Sequence, residues 1–147
     1  MFKQRIALLL KSAIDEISFA IETTKDVKDE TYFGATTAGM VLFRSSCLCI
    51  QNMAEAFLQI DNYTKGEFLP KYSSVPWKAI KGMRAILVHD YLSVDEPEIL
   101  SILQQDLPAL LPTVTMMLND VQSGKYDDYF EELDRKKYNC SAGKAEA

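Results

Sequence analysis

Residues Phe2, Ile6, Leu9, Ala13, Ile17, Ala20 and Thr24 recur at steps of three and four along the first segment. That spacing keeps one face of a helix turned to a core, and the helix is expected to end within the charged run Lys25–Glu30. Gly34 and Gly39 loosen the next stretch. A second helix is predicted from about Met40 to Ile60, with Val41 or Leu42, then Cys47, Ile50, Ala54, Phe57 and Leu58 on its apolar side. Asp61–Ser74 holds Asn62, Gly66, Pro70, Ser73 and Ser74 and reads as a loop. Pro76 suits a first helical position, where its missing N–H costs nothing, so a third helix is predicted over about Pro76–Leu92. Ser93 or Asp95 can cap a fourth, with Pro97 and Glu98 in its first turn. Ile99, Leu100, Ile102, Leu103 and Leu107 form its apolar face. Pro108 and Pro112 should kink or split it, and Leu110–Val121 completes a last helical stretch. Ser123-Gly124 is a stop signal. No alternating strand pattern, hairpin signal or internal repeat stands out. The expected architecture is all-α, an up-and-down bundle of four to five helices over residues 1–124. A charged tail follows over 125–147, its end expected to be disordered.

Composition narrows the function classes. The chain has 147 residues, 48% hydrophobic and 25% charged, in the range of one ordinary globular domain. Net charge is −5 and the pI is near 4.9, which argues against a chain that is basic overall and grips nucleic acid without selectivity. The charge is unevenly spread. From Phe68 to His89 the cations are Lys71, Lys78, Lys81 and Arg84 with no Asp or Glu, so this stretch is +4 and the remainder −9. Such a patch on an acidic body fits a focused phosphate site; a chance excess on one solvated helix face fits as well. Cys47, Cys49 and Cys140 are odd in number and lack a disulfide framework, as expected of reduced thiols in a cytoplasmic setting. One histidine cannot complete a zinc set or the paired Glu-x-x-His of a carboxylate-bridged metal bundle, so neither a metal nor a cofactor is expected. No apolar run approaches the roughly 20 residues needed to span a bilayer. There is no phosphate-binding glycine loop and no G-x-S-x-G motif.

The chemistry concentrates in residues 84–91, RAILVHDY, which contain the chain's one histidine. Imidazole can take and give protons near neutral pH. A guanidinium stays charged and offers a planar fork of donors to phosphate. Together, Arg84 and His89 could cleave a phosphodiester, one moving the proton and the other stabilising charge on the phosphoryl oxygens. On a helical projection advancing about 100° per residue, Ile80, Met83, Leu87 and Tyr91 share an apolar stripe, and Arg84 falls inside it. A cation there marks either a functional position or a stem that packs while its head reaches water. Arg84 and His89 stand about 140° apart on a straight helix. They meet only if Arg84 reaches around, the helix ends or bends near Asp90, or a second subunit brings its own copy. A homodimer with a composite cleft is therefore expected.

Arg84, His89 and Tyr91 form R-x4-H-x-Y, and the context extends it. Val75-Pro76-Trp77 and Ile80-Lys81-Gly82-Met83-Arg84 resemble a "PW…MR" lead-in. Ala54-Glu55-Ala56 resembles a G-E-A segment on the preceding helix, and Val94-Asp95 and Asp106-Leu107-Pro108 resemble the segments that follow. Over roughly residues 40–118 the chain resembles the HEPN superfamily and, within it, the small HepT-like toxins. The resemblance implies a HEPN-like bundle and a dimeric, metal-independent endoribonuclease with two motifs lining a shared cleft. It implies a partner too, a minimal nucleotidyltransferase acting as antitoxin that can nucleotidylate the motif tyrosine, here Tyr91. Lys71, Lys78 and Lys81 are candidate RNA contacts, and Glu55 could brace Arg84 from the facing helix. One departure is Ala85, where family members often carry a polar residue after the arginine. It favours the alternative of a weak or inactive HEPN module that binds a nucleotidyltransferase or a nucleotide.

Overall fold

The periodicity of the first segment forms α1 (Phe2–Thr24), whose buried side is Ile6, Leu10, Ala13, Ile17 and Ala20. In the computed structural model, residues 1–89 and 95–145 are described, without the side chains of 86–89 and 144–145. Thr24 closes α1 inside the core. Its hydroxyl donates to Ala20 O at 2.6 Å, so the buried oxygen needs no water. Beyond it Gln104 Nε2 donates to Thr24 O at 3.1 Å and to Val27 O at 2.7 Å, tying the turn after α1 to the later part of the chain.

A single turn, α2 (Tyr32–Ala35), precedes the long α3 (Thr37–Thr64), which exceeds the expected Met40–Ile60 at both ends. Thr36 caps α3 by accepting from Gly39 N at 3.0 Å. Gly39 does not loosen the chain as expected. It lies in the first turn of α3, where a Cβ would stand 1.9 Å from Tyr32 O, so the residue permits α2 to cross. α3 stops at Lys65, which adopts a left-handed conformation with φ of 53°. The predicted loop over Asp61–Ser74 is more ordered than its composition suggests. It carries the last turn of α3 and a 3₁₀ turn at Leu69–Lys71, and it buries Phe68, Leu69 and Tyr72.

Trp77 opens α4 (Trp77–His89) and lies against Phe57 of α3 with ring centroids 5.0 Å apart. Its indole N–H donates to Tyr72 O at 3.0 Å, fixing the loop to the helix. The next helix, α5 (Glu96–Ser101), is capped by Asp95, whose carboxylate accepts from Glu98 N at 3.3 Å. Ser93, the other predicted cap, lies outside the described residues. Asp95→Ala should cost about 1 kcal/mol, read as a melting temperature lower by roughly 2–4 °C.

Instead of a simple kink before Pro108, the backbone widens into a π turn over Ile102–Asp106 and continues as α6 (Leu107–Gln122), with Pro112 inside it. A proline lacks the N–H of the helical ladder and its ring crowds the carbonyl four residues back. The wider turn relieves both at Pro108 and presents Gln104 to the end of α1.

The segment from Lys125, expected to be a tail, is helical over Asp127–Ala145 (α7). Its charge density hides two core residues, Phe130 and Leu133. Phe68 is fully buried among Tyr126, Phe130 and Tyr72, at centroid distances of 5.3, 5.9 and 6.1 Å. The Tyr72 hydroxyl donates to Asp120 Oδ2 at 2.6 Å, and Tyr126 donates to the Tyr72 oxygen at 3.0 Å. Burial and the carboxylate beside it push the Tyr72 phenol well above the usual tyrosine range. At the other chain end, the Phe2 N–H donates to Asp134 Oδ1 at 3.2 Å.

The result is an all-α bundle, with no strand among the described residues. α1 lies along both α3 and α6, while α4 packs on α3. Pairs Arg5–Tyr63 and Asn52–Glu16 show α1 and α3 to be antiparallel, and Lys81–Asp61 with Arg84–Glu55 show the same for α3 and α4.

Candidate active site

α4 is amphipathic, and its register decides what each motif residue can reach. Trp77 and Ile80 are buried against the bundle, and Met83 is half-buried. Arg84 follows on the margin of that apolar face and not within its dry interior. Its side chain is 53% exposed and its Nε lies 2.8 Å from Glu55 Oε2, itself 41% exposed. Both readings of this arginine thus meet in one geometry: the stem lies beside the apolar stripe while the head is wet. Holding the guanidinium by Nε leaves its two terminal nitrogens for another oxyanion.

An exposed ion pair of this kind contributes only about 0–1 kcal/mol to stability. Its structural consequence is orientation of the arginine. Glu55 stands on α3 one turn from Gln59, whose side-chain amide lies 3.5 Å from Glu55 Oε1.

The candidate lysines separate. Lys81 pairs with Asp61 of α3, both largely shielded, which spends its charge inside the α3–α4 contact. Lys78 is exposed one turn earlier on α4. Lys71 sits in the 3₁₀ turn, its Nζ 4.8 Å from the centroid of the Tyr129 ring and 5.8 Å from that of Tyr126. It is therefore tied to α7 by cation–π contacts and not to the motif helix. Tyr129 also donates to Glu67 Oε2 at 3.2 Å, and burial with that contact pushes its phenol up to about 12.

α4 is helical from Trp77 through His89, and the end or bend expected near Asp90 lies outside the described residues. Five residues of helix place their backbone positions about 140° apart and about 7.5 Å along the axis. The His89 side chain and all of Tyr91 lie outside the described residues. Ala85 is exposed beside Arg84, so the position that departs from the resembled motif is on the open surface.

A concavity lies between α4 and α6. It has a volume of about 420 Å³ and is lined by Met53, Ala79, Ile80, Met83 and Leu110, with Asp106 at its polar side. Sequence reasoning missed it, since it arises from the separation of two helices and not from any motif. Two of the three cysteines, Cys47 and Cys49, are buried thiols and poor nucleophiles. Burial pushes the Cys47 thiol up to about 11 and the Cys49 thiol, which also lies by Glu16, up to about 12. Among the described residues no group of three or more His, Cys, Asp or Glu side chains is placed to hold a metal ion.

Comparison with known proteins now decides the family. The model of the HepT-like ribonucleases matches residues 17–117, spanning the last two turns of α1, the α3–α4 pair and much of α6. The chain belongs to the HepT-like ribonuclease family. Relatives agree with it. The protein named "Putative RNase TTE0752" from Caldanaerobacter subterraneus subsp. tengcongensis is 32% identical over 109 residues, covering 74% of this chain and 90% of the relative. "Putative RNase MJ1380" from Methanocaldococcus jannaschii is 26% identical over 117 residues, covering 80% of this chain and all of the relative. From the same organism, "Gamma-glutamylcyclotransferase and putative RNase MJ0434" is 24% identical over 127 residues, 86% of this chain but 54% of that protein. No solved structure gives a significant match. This HepT-like chain is thus a ribonuclease of the HEPN superfamily, on the all-α scaffold that its helical patterning predicts. No described helix is long and apolar enough to cross a membrane.

Proposed function

We propose that this HepT-like ribonuclease cuts single-stranded RNA by attack of a ribose 2′-OH on the adjacent phosphate. His89 moves the proton, and Arg84 stabilises the charge that builds on the phosphoryl oxygens. The 2′-oxygen bonds to phosphorus as the bond to the 5′-oxygen breaks, and the proton lost by the first is returned to the second. The products are a 2′,3′-cyclic phosphate and a 5′-hydroxyl. The observation that carries this reading is the Arg84–Glu55 pair: a half-exposed arginine whose Nε lies 2.8 Å from a carboxylate on the facing helix.

The about 140° between the two motif positions favours a composite site in which two subunits each contribute. The proposed setting is a toxin paired with a minimal nucleotidyltransferase antitoxin. Nucleotidylation of Tyr91 would add negative charge to the R-x4-H-x-Y motif and repel the RNA backbone. Ala85 removes one hydrogen-bonding group from this surface, which lowers activity without removing the acid–base and cationic groups. The test is incubation of a mixed RNA pool with the purified chain in EDTA. Products ending in 2′,3′-cyclic phosphate are expected, and intact RNA would overturn the reading.

In this proposal Glu55 is a positioning residue. Glu55→Ala frees the guanidinium to rotate and should lower kcat/KM roughly tenfold to hundredfold, the scale of a small misplacement. Glu55→Gln keeps the size of the side chain and an oxygen beside Arg84 Nε and should retain most of the activity. Both variants should melt within a few degrees of the parent, as a surface pair is worth about 1 kcal/mol or less. Equal activity in all three proteins would remove Glu55 from the mechanism.

A further inference from the structure

α3 carries an uncovered stripe that leads into the Arg84 site. Val41, Arg44, Leu48, Gln51 and Glu55 are spaced by three and four residues, so they share one face within about 80°. α1 packs on one side of that face, where Asn52 reaches Glu16. α4 packs on the other, through Phe57 and Asp61. Neither helix covers the stripe: Val41 is 61% and Leu48 56% exposed, and Arg44 is exposed between them. At its lower end the stripe reaches Glu55, the residue that holds Arg84.

The direction of α4 extends this continuity. Lys81 meets Asp61 and Arg84 meets Glu55, so advancing along α4 means retreating along α3. The backbone of α4 up to His89 therefore runs toward the level of Gln51. Arg44 lies eleven residues before Glu55, about 16 Å along the helix axis and within about 20° of the same azimuth. That gap is bridged by a few nucleotides of single strand.

We infer that RNA held at Arg84 continues along this face of α3 and that Arg44 grips a second phosphate, setting the length of strand the enzyme binds. The inference rests on the reading of Arg84 as a phosphate ligand. Charge selects RNA as the occupant. Residues 37–89 hold six Lys or Arg against three Asp or Glu, a net +3, while the rest of the chain is −8. Of these cations Lys71 lies over Tyr129 of α7 and Lys81 pairs with Asp61, so the stripe and its end carry Arg44 and Arg84 against Glu55, a local excess of positive charge that draws a polyanion. Arginine is the side chain whose fork fits phosphate from an exposed position. Leu48 and Val41 offer apolar surface for bases that leave their stack on the way.

The test uses the full chain with His89→Ala, so that RNA binds without being cut. Affinity for a fluorescent single strand of about twelve nucleotides, within the span such sites cover, is measured by anisotropy across a salt series. Adding Arg44→Ala should weaken binding about tenfold. It should also flatten the dependence of log K on log salt by about 0.7, the value of one phosphate contact on a single strand. Unchanged affinity and slope would overturn the inference. Its failure is separable from failure of the nuclease reading. If Arg84→Ala weakens RNA binding and Arg44→Ala does not, only the extended path is lost. If the parent chain cuts no RNA and Arg84→Ala binds like the parent, both are lost. Unchanged RNA affinity with altered self-association of Arg44→Ala in sedimentation would make this face a protein interface and overturn the inference as well. Circular dichroism melts check that Arg44→Ala, an exposed change, leaves the fold intact.

Discussion

His89→Ala should leave RNA essentially uncut. Removing a positioned acid–base group costs about 10²- to 10⁴-fold in rate, and the chain has one histidine to lose. The measurement is the initial rate of cyclic-phosphate formation on a mixed RNA pool in EDTA, parent against variant, at equal folded concentration. His89 follows five residues after Arg84 on α4, and a circular dichroism melt of the variant checks that the fold is kept. Binding of RNA by His89→Ala should persist, because the phosphate-holding groups remain. This separates loss of chemistry from loss of substrate. Mixing His89→Ala with Arg84→Ala protein gives a further expectation from the composite-site proposal: heterodimers that hold one intact pair across the interface recover part of the activity. Equal rates for parent and His89→Ala would remove the imidazole from the reaction.

The second large effect is on stability. Phe68→Ala should destabilise the fold by roughly 3–5 kcal/mol, lowering the melting temperature by about 10 °C or more. Phe68 is fully buried and touches rings from three places in the chain: Tyr72 beyond its own 3₁₀ turn, Tyr126 before α7 and Phe130 within α7. Emptying that centre exposes the Tyr72–Asp120 and Tyr126–Tyr72 hydrogen bonds to water and loosens α7 from the bundle. Limited proteolysis should then cleave near Gly124, where φ is 91° and the turn between α6 and α7 depends on packing against the cluster. Phe68→Leu, which keeps most of the apolar volume, should lose much less. A Phe68→Ala protein that melts with the parent would show that α7 contributes little to the folded state.

Much of this molecule is legible in its residue order because helices announce themselves locally. The three-and-four spacing of Ile6, Ala13, Ile17 and Ala20 fixes the buried side of α1 without knowledge of any partner. Asp95 followed by Pro97 and Glu98 marks the start of α5 for equally local reasons, a carboxylate accepting from an N–H three residues on. The motif residues are recognisable by chemistry, since a lone histidine near an arginine is rare enough to draw attention in a chain of this length.

What sequence pattern misreads is set by contacts between distant segments. Gly39 looks like a flexible link but is a point of close approach, because the backbone of α2 passes where a side chain would stand. Lys71 and Lys81 look alike as candidates for RNA. One lies over tyrosine rings near α7 and the other pairs with Asp61, and only packing separates them. The charged run after Gly124 resembles a tail because its polar face dominates the composition. Its two core positions are felt only when the surface that receives Phe130 and Leu133 exists. Local periodicity, capping chemistry and the R-x4-H-x-Y spacing are properties of neighbouring residues, so the order of amino acids by itself determined the all-α scaffold and the candidate chemistry. The bracing of Arg84 by Glu55, the uncovered stripe of α3 and the docking of α7 required residues far apart in the chain to be brought together, and the tertiary structure alone decided them.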